Sequence, residues 1–258
     1  MAKKYIHKSV IAGSLVYESV YLNNRRDETS RRCVSKNQID SRAAREAIND
    51  RQSKLKLELL IAQNFEVGDH VLTLTYDDAH LPKSRAEAVN QLKYFRKKLR
   101  TIRKKMGCPD GDLKMAWTTE HLGKSNRWHH HCIVNRLGDF DSDQIERAWI
   151  YGVAFDRPFV NTVWKNFDTL VYYMTKEKRD SVGERIWSRT QNLIKPSPEY
   201  QEMEAPEELE APCDALVLQD LKSCDSGYEF QALKYVLNCS SKFKPIEEEL
   251  IEDNPFLK

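Results

Sequence analysis

The sequence predicts a chain of the α+β class, and three observations carry that reading. VLTLTY (71 to 76) alternates with the two-residue period of a strand, placing Thr73 and Thr75 on one face and Leu72, Leu74 and Tyr76 on the other. Val89, Leu92, Phe95, Leu99, Ile102 and Met106 recur at the three-and-four spacing of an amphipathic helix. Two further strand-like runs, 113 to 120 and 128 to 136, flank a turn through Gly123, Ser125 and Asn126, and so form an antiparallel hairpin.

The remaining elements follow in chain order. Ala44, Ile48, Leu55, Leu59 and Ile61 predict a loosely amphipathic helix over 41 to 63, inside a basic N-terminal extension, 1 to 66. Ser84 is the N-cap of the long helix, and Gly107 with Pro109 ends it. Asp141 or Ser142 caps a short helix reaching Trp149, Gly152 to Phe155 reads as a small strand, and 163 to 178 reads as a second amphipathic helix whose buried stripe is Trp164, Phe167, Leu170, Val171 and Met174. The C-terminal stretch, 193 to 258, holds six of the nine prolines and reads as an appendage with one or two strands, near 215 to 221 and 235 to 237.

Charge divides the chain. Residues 193 to 258 carry 6 Lys and Arg against 15 Asp and Glu, a net of −9, whereas residues 1 to 192 carry +11. A basic body suits a polyanion, because cations that neutralise phosphates release condensed counterions. Lys93, Arg96, Lys97, Arg100, Arg103 and Lys104 on the long helix read as an electrostatic rail for DNA. The acidic tail reads as a cover over that basic face. The six cysteines form no CxxC pair and read as free thiols of a reducing compartment. Lys3 and Lys4 precede the short apolar run SVIAGSLVY, which Glu18 follows without a cleavage pattern, so no secretion signal is read. Nor is there a run of the ~18 apolar residues a membrane span needs.

The chemistry concentrates around HHHCIV (129 to 134). In a strand, His129 and His131 point the same way and His130 the other, so the outer pair is suited to a metal ion. Glu120, ending the partner strand, completes a set of two imidazoles and one carboxylate that leaves coordination positions open, the pattern of a catalytic rather than a structural site. About 40 residues on, Tyr172 and Tyr173 stand four and three residues before Lys176, so either phenol shares a helix face with the amine, and helical geometry does not choose between them. A phenol can be a nucleophile through a covalent intermediate, and with an unperturbed pKa of about 10 it needs a metal and a cation to help it. Asp77, Asp78 and His80 read as turn formers rather than ligands. Gly123, Lys124 and Ser125 imitate the end of a phosphate-binding loop, but Thr118 stands where that loop needs its first glycine.

Taken together, TLTY, then Glu120 and Gly123, then His129 and His131, then Tyr173 to Lys176 resemble the motif series of the HUH endonucleases, specifically the rolling-circle replication initiators of small single-stranded DNA phages and related plasmids. The resemblance runs from about 64 to 192. It implies a ferredoxin-like HUH domain with a central antiparallel sheet over 67 to 192, between an N-terminal helical extension and a small C-terminal appendage. It also implies Mg2+ or Mn2+ on His129, His131 and Glu120, and Tyr173, matching the Y-x-x-K register, as nucleophile with Tyr172 as the alternative. The expected product is a 5′-phosphotyrosyl adduct with a free 3′-OH at a single-stranded replication origin, in the cytoplasm of a bacterial host that supplies polymerase and helicase. Two positions depart from the pattern: His130 replaces a hydrophobic residue, and Glu177 stands where some relatives carry a second tyrosine, which implies a single-tyrosine enzyme. A transposase or relaxase using the same chemistry and a non-catalytic DNA-binding protein remain as alternatives.

Overall fold

A computed structural model describes residues 4–23, 38–109, 111–121, 127–136, 142–159, 166–176, 186–223 and 230–237, with the side chains of 38–45, 166–169 and 223 left aside. The order is β1 (Tyr5–Ala12), β2 (Leu15–Leu22), α1 (Gln38–Asn64), β3 (His70–Thr75), a 3-10 turn (Asp78–His80), α2 (Arg85–Lys105), β4 (Met115–Glu120), β5 (His129–Val134) and α3 (Ser142–Ala148). Then follow β6 (Ala154–Pro158), α4 (Asn166–Thr175), β7 (Trp187–Arg189), β8 (Pro198–Met203), β9 (Leu216–Ser223) and β10 (Phe230–Val236). The chain forms two compact units, 25–160 with 167–196, and 1–24 with 161–166 and 197–258. Among the described residues no helix is long and apolar enough to cross a membrane.

The first unit is α+β, built on one antiparallel sheet in the order β6-β3-β5-β4-β7. Its segment β3-α2-β4-β5-α3-β6 is the β-α-β-β-α-β unit of a ferredoxin-like fold, as expected. The alternation of each strand sorts the core into two layers. Leu72, Leu74, Met115, Cys132 and Val134 face Leu92, Phe95 and Leu99 of α2 and Ile145, Ala148 and Trp149 from α3 and the residue after it. On the other face Ala116 and Ile133 pack with Leu57, Leu60 and Ile61 of α1 and Leu170, Val171 and Met174 of α4. Ser84 caps α2 as the sequence predicts, its hydroxyl accepting from the Glu87 N–H, and Gly107 follows the helix at φ 82°.

The second unit is a sheet of five antiparallel strands in the order β8-β1-β2-β10-β9. It divides the chain differently from the expected extension, domain and appendage. SVIAGSLVY is the centre of a hairpin whose two-residue turn uses Gly13 at φ 59°. Residues 198 to 236 are not a loose acidic cover: they supply three strands of this sheet rather than the expected one or two, and Val16, Leu233 and Tyr235 form part of its core. The small strand expected at 152 to 155 begins two residues later, at Ala154. Of the expected buried stripe, Trp164 and the Phe167 side chain lie outside what the structure describes, as do the turn residues Gly123, Lys124, Ser125 and Asn126, as well as Glu177.

Candidate active site

Strand register assembles the site. On the face that also meets α4, β4 and β5 pair Glu120 with His129 and Thr118 with His131, while β3 pairs Thr73 with His131 and Thr75 with His129. His129 Nε2 lies 3.2 Å and His131 Nε2 3.3 Å from Glu120 Oε2, and the two rings stand 5.1 Å apart, nearly perpendicular. One ligand atom from each of the three residues falls within 4.8 Å of the others, close enough to share one ion.

Hydrogen bonding prepares these groups for a cation. His129 Nδ1 is 3.3 Å from the Arg127 carbonyl, which can only accept, so the imidazole donates there and turns Nε2 toward Glu120. Thr73 Oγ1 holds His131 Nδ1 at 3.3 Å in the same manner. Thr73 is the residue that motif reading missed, although its strand alternation placed it on this face. Burial alone would push the Glu120 carboxyl up; the two imidazoles against it, His129 first, outweigh that and hold it at about 2. Among the described residues, Glu120 Oε1 and His131 Nε2 are buried without a hydrogen-bond partner. Such orphans are costly in a dry interior, and an ion held by oxygen and nitrogen donors would satisfy both.

The tyrosines and the lysine come from α4 and the residue after it. The buried stripe of Leu170, Val171 and Met174 leaves Tyr173 at its border, half-buried, and Tyr172 turned to solvent at 61% exposure. Lys176 Nζ is 3.9 Å from Glu120 Oε2 and 5.5 Å from the centre of the Tyr173 ring. A carboxylate, two imidazoles, an ammonium and a phenol therefore converge on one end of the sheet.

His130 points the other way and is wholly buried. Its Nε2 is 2.7 Å from the Tyr76 hydroxyl and its Nδ1 2.9 Å from Thr119 Oγ1, with the rings of Tyr76 and Trp149 against it. Burial above all pulls its pKa down to about 3, so the ring is a neutral core residue with both nitrogens satisfied. The substitution that departs from the family pattern is thus absorbed by two hydroxyls. Asp77 caps the 3-10 turn, accepting from the His80 N–H, and Asp78 pairs with Arg127, so these residues shape the turn, as expected.

The rail on α2 needs one correction. Lys93, Lys97, Arg100 and Lys104 are exposed on one flank, and Arg96 lies half-buried with its guanidinium 4.4 Å over the Trp117 ring. Arg103 is only 2% exposed: it donates to Asp112 and Asn135, so it is a structural cation that cannot reach DNA. Its position on the helix turns it toward the core side, where net charge per residue gives no warning. A pocket of about 190 Å³, lined by Arg85, Lys93, Arg96 and Trp117 among others, lies beside the rail. The helix packs on the sheet face opposite the Glu120 cluster, so rail and cluster are separated by the sheet itself.

Residues 69–178 match a family model described as replication-associated protein ORF2. The matched segment begins at the residue before β3 and ends just past α4, and so contains the whole cluster. It supports a replication initiator that interacts with DNA. Searches of the curated proteins and of the solved structures gave no match.

Proposed function

We propose that the chain initiates rolling-circle replication by nicking and rejoining single-stranded DNA, with residues 67 to 192 carrying the chemistry. The observation that carries this reading is the convergence of Glu120, His129 and His131 with Tyr173 and Lys176 inside the segment that matches the replication-associated family. Glu120, His129 and His131 would hold a Mg2+ or Mn2+ ion, which when bound polarises the non-bridging oxygens of a phosphodiester. Tyr173 supplies the nucleophile: its phenolic oxygen bonds to phosphorus as the bond from phosphorus to the 3′ oxygen breaks. The phenol gives up its proton and the departing 3′ oxygen takes one, leaving a 5′-phosphotyrosine and a 3′-OH. Lys176, beside both Glu120 and the Tyr173 ring, places a positive charge where negative charge grows on the attacked group. The exposed cations of α2 hold the strand through its phosphates, and a host polymerase extends the 3′-OH on template opened by a host helicase.

The test incubates the purified chain with Mn2+ and single-stranded oligonucleotides from its own genome and looks for a covalent adduct on a denaturing gel. Tyr173→Phe is expected to abolish the adduct and Tyr172→Phe to keep it. The reverse result moves the nucleophile by one residue. Salt-sensitive binding without any adduct makes the chain a DNA-binding protein without this chemistry.

A further inference from the structure

We infer that Phe155 is a stacking platform for one nucleobase of the DNA strand, the base on the 3′-oxygen side of the cleaved bond; the choice of side rests on the reading of Tyr173 as nucleophile. The strand register places Phe155 opposite Thr73, which is opposite His131, so all three rise from the same face in one row across the sheet. Val153 occupies the equivalent place beside Thr75 and His129, its carbonyl accepting from the Thr75 N–H. Phe155 is 54% exposed and Val153 52%. The chain approaches β3 closely here, since a side chain at Gly152 would collide with the backbone of Thr75, Tyr76 and Asp77.

An exposed apolar edge is ordinarily blunted by charge, because it invites pairing with other chains. On β6 the acidic residue is turned away: Asp156 lies on the opposite face, held by His70 Nδ1 at 2.7 Å and Ser142 Oγ at 2.6 Å. The catalytic face of the edge therefore presents an aromatic ring, a valine and, two residues on, Arg157. That combination suits single-stranded nucleic acid, in which every base has a face to stack and every linkage a charge to neutralise.

Geometry gives the side. Two strand spacings separate Phe155 from the line of His131, ~10 Å. The helix bearing Tyr173 packs over Ala116 and Ile133 on β4 and β5, while β6 lies beyond β3 in the other direction. In a displacement at phosphorus the attacking and leaving oxygens are roughly in line. A phenol arriving from the α4 side expels the 3′ oxygen toward β3 and β6, and the nucleotide carrying that oxygen comes to lie over Phe155.

The test maps the cleaved bond with the unaltered protein and Mn2+, then measures binding by fluorescence anisotropy in EDTA, using the Tyr173→Phe background and oligonucleotides with a single abasic residue moved along the strand. Phe155→Ala is expected to weaken binding of the intact strand about tenfold, and to add no further loss when the abasic residue is the nucleotide bearing the leaving 3′ oxygen. Phe155→Leu, which keeps apolar bulk without a ring, should behave as Phe155→Ala, while Phe155→Trp restores binding. Unchanged affinity in Phe155→Ala, or coupling to the nucleotide on the 5′-phosphate side, overturns the proposal. So does a dimer of the unaltered chain that Phe155→Ala splits in sedimentation, which would give the edge to a second copy. Absence of cleavage by the unaltered protein removes the tyrosine reading and the choice of side with it, whereas cleavage with an uncoupled Phe155 removes the platform alone.

Discussion

His130 and His131 are neighbours on one strand with the same side chain, yet the two faces of the sheet give them opposite circumstances. The first is enclosed by Tyr76, Thr119 and Trp149, with a partner for each nitrogen and a pKa drawn down to about 3. The second shares its face with Thr73 and Glu120, and leaves a buried nitrogen beside a buried carboxylate oxygen, neither with a hydrogen-bond partner among the described residues. A histidine whose hydrogen bonds are complete contributes to the fold; one left open toward a carboxylate is available to an ion. The face, set by residue parity along β5, decides which role each takes.

The largest expected effect comes from breaking the open face. His131→Ala or Glu120→Ala should lower metal-dependent cleavage by two orders of magnitude or more, measured as adduct formed per minute. The same changes should cancel the stabilisation that Mn2+ gives the unaltered chain, about 2.7 kcal/mol when the ion is present at a hundred times its Kd. Thermal unfolding with and without Mn2+ reads this directly. A metal-induced shift that survives in Glu120→Ala would place the ion elsewhere.

Breaking the enclosed face should reverse the pattern. His130→Ala opens a cavity and strands the Tyr76 and Thr119 hydroxyls, costing about 3 kcal/mol of stability. Denaturant unfolding measures the loss, and cleavage by the fraction that stays folded should be nearly unaltered. Cleavage abolished in a well-folded His130→Ala would show that the faces have been assigned the wrong way round.

Much of this contrast was legible in the sequence, because strands have a period of two. HHHCIV fixes that the outer histidines share a face, and TLT fixes which side Thr73 joins. The long helix was legible for a similar reason, its apolar spacing and Ser84 cap being local signals. What escaped was non-local. β1 and β2 carry an alternating pattern around Gly13, but their partners lie about 180 residues away, and their charge and proximity to the N-terminus favoured other readings. β7 has only three residues and owes its existence to pairing with β4. Arg103 is the same lesson in side-chain form. A run of cations looks uniform in sequence, while the core side of the helix takes one of them inward to Asp112 and Asn135.

That difference among neighbouring cations gives the smallest and most discriminating expectation. Lys97, Arg100 and Lys104 are exposed, so replacing any one by alanine should leave unfolding within about 0.5 kcal/mol of the original. Each that touches a phosphate should reduce the slope of log affinity against log salt by about 1, with a modest loss of affinity at low salt. Arg103→Ala should do the opposite. Removing one member of a buried pair leaves Asp112 and Asn135 without their donor and costs about 3 kcal/mol, with the salt slope unchanged. Equilibrium unfolding and salt titrations of binding on the same four variants separate the two outcomes. If Arg103→Ala reduces the salt slope as the exposed variants do, the guanidinium reaches DNA after all, and the inward face of α2 is less closed than its burial indicates.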